Sequence, residues 1–90
     1  MNSKQLKILK AKAHHLNPVT IVGQKGIGDP IFNEVTRNLN DHELIKVRLQ
    51  EEDRDTRKSM AQEIAAKCQA ELVQIIGKNL VLFKEKQETL

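Results

Sequence analysis

The sequence predicts a single small α/β domain whose elements follow the order α-β-α-β-α-β-β and build a mixed four-stranded sheet. Its 90 residues leave room for only one domain. A β-branched run at residues 19–22 and a strict apolar–polar alternation at residues 43–50 indicate strands, with helical periodicity before, between and after them. Two strand–helix–strand units require parallel crossovers, and a closing hairpin adds an antiparallel pair.

The first helix combines an apolar stripe with a basic surface. Ser3 is a candidate N-cap, because its hydroxyl can accept a hydrogen bond from the first turn. The apolar positions recur every three or four residues and are Leu6, Leu9, Ala13 and Leu16. Asn17 ends this segment, because the residue before a proline avoids the helical conformation.

A glycine-rich turn at residues 23–28 joins the first strand to the second helix. Asp29 is expected to cap this helix, with Pro30 at its first helical position. The buried side is expected to contain Ile31, Val35 and Leu39, with Phe32 beside them. His42 is assigned to the turn that follows the helix.

The second strand is predicted to be half-buried with a basic outer face. Its inward positions are Ile45, Val47 and Leu49, and its outward positions are Lys46, Arg48 and Gln50. Because these outward positions are polar, one face of the sheet should be largely uncovered there.

The third helix is predicted to start in the acidic segment at residues 51–55, because carboxylates favour a helix N-terminus. Its apolar side consists of Met60, Ala61, Ile64, Ala65 and Cys68. The last two strands flank residues 77–79 and read as a hairpin. We expect the domain to span residues 1–86 and the tail at residues 87–90 to be frayed.

Charge is distributed unevenly along the chain. Residues 1–28 contain five lysines and no acid, a charge of +5, whereas residues 29–90 carry −2. This asymmetry favours a polyanionic partner for the N-terminal third. A solvated basic helix without a partner is the alternative.

Several function classes are unsupported by the sequence. One cysteine, Cys68, allows neither an intrachain disulfide nor a CxxC metal site. No apolar stretch has the length of a signal peptide core or a membrane span, so we expect a cytoplasmic protein without a membrane partner. His14 and His15 lack a third ligand nearby, Cys68 lacks a base, and no nucleophile–base pair emerges. We therefore expect no catalytic residue, metal or cofactor.

The segment Gly23, Gln24, Lys25 and Gly26 has the composition of an anion-binding turn. Glycines let the backbone approach a ligand, and free N–H groups in such turns can surround an anion. The following helix N-terminus also attracts phosphate, although Asp29 is expected to satisfy part of it. The segment fits no nucleotide-binding fingerprint, and a purely structural turn is the alternative reading.

Three segments in register, "AHHLNPVTIVGQKG", "NDHELIKVRL" and "IIGKNLVLFK", resemble the stand-alone bacterial CRM domain (chloroplast RNA splicing and ribosome maturation). This RNA-binding family is associated with ribosome assembly, and the resemblance covers residues 6–83. It implies a fold similar to the C-terminal domain of translation initiation factor three and a GxxG loop like the backbone clamp of KH domains. It also implies association with precursors of the large ribosomal subunit.

One motif departs from the family pattern. The hairpin usually ends in Tyr-Arg, and this chain has Phe83-Lys84. The tyrosine hydroxyl is lost, and a lysine point charge replaces a bidentate phosphate donor.

We therefore predict a monomeric RNA-binding protein that acts without covalent chemistry on structured RNA. The GxxG residues would clamp the backbone, with further contacts from Lys4, Lys7, Lys10, Lys12, Lys46, Arg48 and Lys84. The scarcity of aromatic residues favours recognition of RNA shape over base identity. The alternative is a protein–protein module that docks its basic first helix on an acidic partner.

Overall fold

The computed structural model describes residues 1–86 and confirms the predicted order of elements. The elements are α1 (Ser3–Ala13), β1 (Pro18–Val22), α2 (Asp29–His42), β2 (Leu44–Leu49), α3 (Arg54–Lys67), β3 (Glu71–Ile76) and β4 (Asn79–Phe83). The tail expected to fray, residues 87–90, lies outside the described residues.

The strands form one mixed sheet in the order β1-β2-β4-β3. β1 and β2 are parallel, and β4 is antiparallel to both of its neighbours. At one end of the strands, the turn at residues 23–28, the segment at residues 50–53 and the β3–β4 turn at residues 77–78 therefore lie together. We call this end of the strands the loop edge. At the opposite end of the strands, β1 and β2 begin and β4 ends. We call this end the far edge.

Each face of the sheet has its own apolar cluster. The larger cluster packs α2 and α3 on one face and includes Val22, Val35, Leu39, Ile45, Val47, Leu49, Ala61, Ile64, Ala65, Cys68, Leu80 and Leu82. The smaller cluster packs α1 on the other face and consists of Leu9, Ala13, Val73 and Val81, with Leu6 and Leu16 against it. The apolar helix faces predicted from periodicity are thus the buried ones.

Two predicted N-caps are wrong by one residue. Asn2, rather than Ser3, caps α1, because its Oδ1 accepts the Gln5 N–H at 2.7 Å. Gly28, rather than Asp29, precedes α2 in an extended conformation, so Asp29 already lies in the helix. Gly28 has no side chain to cap the helix, and the N-terminus of α2 is more open than the sequence predicts.

The end of α2 also differs from expectation. His42 is the last residue of the helix rather than part of the turn. The turn is made by Glu43 with a φ of 62°, a left-handed conformation that costs a non-glycine residue energy. Its carbonyl accepts the Lys84 N–H at 2.9 Å, and its carboxylate accepts the Lys86 N–H at 3.2 Å. Glu43 therefore ties the segment after β4 to the start of β2.

The acidic segment before α3 starts that helix, as predicted. The Asp53 carboxylate accepts hydrogen bonds from the Thr56 N–H at 2.8 Å and the Thr56 hydroxyl at 2.7 Å. These bonds from Thr56 hold the pKa of Asp53 below its ordinary value, because they favour the ionised carboxylate. The Asp53 cap thus weakens as the pH falls towards the pKa of this carboxyl.

Candidate nucleic-acid interface

The GxxG segment forms a closed β-turn at the loop edge. The Gly26 N–H donates to the Gly23 carbonyl at 3.1 Å, which leaves Gln24 and Lys25 exposed at the two corners. Among residues 1–86, no acceptor is found for the backbone N–H groups of Gln24 and Lys25. The turn therefore presents two free backbone donors beside a lysine ammonium group.

A groove of about 460 Å³ runs along this turn. Residues 23–28 line it together with Pro30 and Ile31 from the start of α2. An anionic group could lie against the backbone donors of the turn, with apolar surface next to it.

The two glycines of the turn have different structural roles. Gly26 has a φ of 76°, where an L-residue is strained, although the space around it is open. A Cβ on Gly23 would meet only Gln50 Oε1, at 3.6 Å, which is an ordinary contact distance. The turn therefore requires glycine at position 26 and tolerates a side chain at position 23.

We expect Gly26→Ala to lower the free energy of unfolding by about 1–2 kcal/mol, because alanine disfavours the left-handed region. Gly23→Ala, the matched control, should unfold within about 0.5 kcal/mol of the unmodified chain. Urea unfolding followed by circular dichroism measures both values. Equal losses for the two variants would contradict the distinct roles assigned to the glycines.

Helix α1 leaves the loop-edge part of its sheet face uncovered. Across that part runs a row of four residues in register, one from each strand: Ile21, Arg48, Asn79 and Ile76. We call this set the cross-strand row. Arg48 and both isoleucines are exposed, and Asn79 is partly buried. The predicted uncovered, basic face of β2 is confirmed at Arg48 and Gln50, whereas Lys46 is half-buried on the face that α1 partly covers. The two isoleucines and Asn79 are not predicted from the sequence.

The α1 lysines point in different directions. Lys12 lines a far-edge groove with Leu16, His42 and Leu44, so its flank of the helix faces away from the GxxG turn. At about 100° per residue, Lys10 lies on the opposite flank, next to the cross-strand row, and Lys7 lies between that flank and the solvent side. Lys4 lies between the two flanks on the solvent side.

Lys46 and Arg48 complete the cationic face. Both point to the α1 side of β2, where Lys46 is half-buried opposite Val81 and Arg48 lies in the cross-strand row. Together with Lys7, Lys10 and Lys25, they give five cations around the loop-edge half of this face.

Lys84 lies away from this face, although it is predicted to contact RNA together with Lys25. β4 runs antiparallel to β2 and places Phe83 opposite Leu44, so Lys84 lies at the far edge. Its Nζ donates to the Cys68 carbonyl at 3.4 Å, at the end of α3. The ammonium group thus serves a helix C-terminus, where a cation is favourable.

On the β3 side of the loop edge, two of the cations, Lys78 and Arg57, have acidic or carbonyl partners. Lys78 Nζ lies 2.6 Å from Glu52 Oε1, and this hydrogen bond holds the pKa of Glu52 below its ordinary value. The Arg57 guanidinium donates to the Glu51 and Glu52 carbonyls at 2.8 Å each. Arg54 and Lys58 are also exposed on this side, where they line a groove with Gly77, so positive charge at the loop edge lies on the β3 side as well as next to the GxxG turn.

The remaining candidate residues are Cys68, His14 and His15, and their surroundings are those of structural residues. Cys68 is buried, and its Sγ donates to the Phe32 carbonyl at 3.5 Å, as expected for a core cysteine. His14 and His15 are exposed, with their rings edge to face. Within residues 1–86, no three His, Cys, Asp or Glu residues are placed to share a metal ion. No helix in this part of the chain has the length and apolarity to cross a bilayer.

These features define a class of small α/β domains that present a GxxG turn beside a cationic sheet face. The chain belongs to the CRS1/YhbY (CRM) domain family, which it matches over residues 1–84. The family resemblance seen in the three sequence segments is therefore confirmed.

Relatives from several bacteria support this assignment. A protein of Pseudomonas aeruginosa, named a probable RNA-binding protein, is 40% identical over 94% of this chain and 82% of its own length. An RNA-binding protein of Haemophilus influenzae is 40% identical over 98% of this chain and 89% of its own length. The solution structure of a Staphylococcus aureus protein, described as a candidate RNA-binding protein, has a TM-score of 0.86 at 30% identity. The match covers 100% of this chain and 94% of that one.

Proposed function

We propose that this protein binds structured RNA through the GxxG turn and the cationic face next to it. The observation that carries the proposal is the position of Lys46 and Arg48 on the α1 face of β2, with Lys25 exposed in the turn that follows the neighbouring strand. Helical spacing adds Lys10, and further round the helix Lys7, to this face. Clustered cations of this kind are the electrostatic footprint of nucleic-acid binding. The names of the bacterial relatives point to the same ligand.

The turn and the lysines have separate roles in this proposal. Gly26 sets the turn geometry, and the N–H groups of Gln24 and Lys25 donate to a phosphate. Lys25 adds a full charge, and the other four cations hold neighbouring phosphates. Phosphate contacts position the RNA without reading its sequence.

The biological setting of the proposal comes from the family resemblance. The RNA is a precursor of the large ribosomal subunit, and the protein assists its assembly as a cytoplasmic monomer. It acts by binding, without a cofactor and without covalent chemistry. Lys4 and Lys12 contribute long-range attraction, because they lie away from the turn, and Lys84 is outside the site.

The dependence of RNA affinity on salt tests the site. If about four to five phosphates are neutralised, the log–log slope should have a magnitude of roughly 3–5. Lys10→Gln should reduce that magnitude by about 1, because one phosphate contact is lost. Lys84→Gln removes the same charge at the far edge and should leave the slope unchanged. Fluorescence anisotropy with a labelled ribosomal RNA hairpin, at several potassium chloride concentrations, gives the slopes.

Two outcomes would contradict the proposal. A binding constant that does not change with salt would exclude phosphate neutralisation as the basis of binding. Equal slopes for the unmodified chain and Lys10→Gln would remove Lys10 from the interface and would favour the alternative in which α1 docks on an acidic protein.

A further inference from the structure

The cross-strand row has a composition that the cationic face does not explain. Ile21 and Ile76 lie on the two outer strands and are 56% and 54% exposed, and Val19 of β1 is a further exposed apolar residue at 40%. Outer strands usually present charged residues to solvent, because exposed apolar strands invite aggregation. Two exposed isoleucines on either side of Arg48 therefore indicate a surface that a ligand covers.

We propose that the cross-strand row binds the bases of an unpaired RNA segment whose backbone is held at the GxxG turn. The inference rests on the proposed function and adds the structural class of the RNA. Aliphatic side chains bury the apolar faces of bases, and the planar guanidinium of Arg48 can stack on them. The row spans three strand spacings, about 14 Å, which leaves room for more than one base.

The charges around the row favour RNA as its occupant. Ile21 lies two residues before Gly23, so the turn continues directly from this end of the row. The flank of α1 with Lys10 borders the row towards the far edge, and Lys46 lies in the next register position of β2. A row with an isoleucine at each end and Arg48 and Asn79 between them, bordered by cations on two sides, matches a chain with apolar bases and an anionic backbone.

An unpaired segment fits the row better than a duplex. In an A-form helix the bases are stacked inside, and a protein meets phosphates, 2′-hydroxyls and a shallow minor groove. A duplex could therefore engage the lysines but would leave both isoleucines without a contact. The isoleucines thus distinguish the two RNA structures.

Methyl NMR spectra of the unmodified chain provide the first test. The probes are a ten-nucleotide oligouridylate and a ten-base-pair RNA duplex, each titrated into protein labelled at the isoleucine δ1 methyl groups. We expect the oligouridylate to shift the signals of Ile21 and Ile76. The signal of Ile8 should not move, because this residue is 48% exposed on α1 outside the row and serves as an internal control. Unmoved Ile21 and Ile76 signals at saturating oligouridylate would overturn the proposal.

Substitution of the row provides the second test. Threonine keeps the β-branching that a strand favours, so the double variant Ile21→Thr/Ile76→Thr should fold. It should bind the oligouridylate roughly tenfold more weakly than the unmodified chain, with duplex affinity changed less than about twofold. Ile8→Thr should bind both probes normally.

The outcomes separate this proposal from the one it rests on. Normal oligouridylate binding by the folded double variant would overturn the base-binding role of the row, although RNA binding by the protein would stand. A protein would then be the favoured ligand of the row. Loss of duplex and oligouridylate binding together would make the row a general RNA contact and would also overturn it. If the unmodified chain binds neither probe nor a ribosomal RNA hairpin, the proposed function fails first.

Discussion

Lys25→Glu is expected to weaken the binding of structured RNA at least about tenfold, because it replaces a phosphate contact with a repulsive charge. Lys25 is exposed at the corner of the GxxG turn. The fold does not depend on its side chain, so the melting temperature should change by less than about 2 °C. Fluorescence anisotropy at low salt and a thermal melt measure the two effects.

Arg37→Glu is the matched control for this charge reversal. It produces the same change in net charge at an exposed position within α2, on the sheet face opposite α1. Its RNA affinity should fall no more than about threefold, an effect of the overall charge alone. If the two variants lose affinity equally, the turn has no special role and the interaction depends only on net charge.

Leu80→Ala is expected to lower the free energy of unfolding by about 2–5 kcal/mol. Leu80 is completely buried in β4, paired with Val47 of β2 and Ile75 of β3, within the larger apolar cluster. Alanine would leave a cavity between the sheet and the helices α2 and α3. A domain of this size has a total stability of about 5–13 kcal/mol, so the loss is a large part of it.

Leu80→Met separates cavity formation from a change of residue type. Methionine has a similar volume and should cost less than about 1.5 kcal/mol. Urea unfolding of the three proteins gives the comparison. A loss below about 1 kcal/mol for Leu80→Ala would mean that β4 is packed more loosely than its burial indicates.

The order and type of the elements could be predicted because they depend on local patterns. The alternation around Val47 and the helical spacing of Leu9 and Ala13 identify the buried faces without knowledge of the fold. The N-caps were wrong by one residue because neighbouring residues compete to cap a helix. Asn2 and Gly28 took the positions expected for Ser3 and Asp29.

The spatial grouping of the candidate site could be predicted only where chain neighbours form it. The GxxG turn is contiguous, and its closed form with an exposed Lys25 agrees with the sequence. Lys84 is grouped with the turn on the family resemblance alone, and the sequence does not show which end of the sheet β4 reaches. The alignment of Ile21 with Ile76 depends on register across four strands, including irregularities in β1 and β3.

The position of β4 in the sheet has a consequence for how the chain folds during synthesis. β4 follows β3 in the chain but lies between β3 and β2 in the sheet, so β2 and β3 do not pair with each other. Until β4 has emerged from the ribosome, β2 exposes an unpaired backbone edge, and β3 has no neighbouring strand. The four-stranded sheet is complete only once residue 83 has left the ribosome, so β3 and β4 join the sheet together as a hairpin.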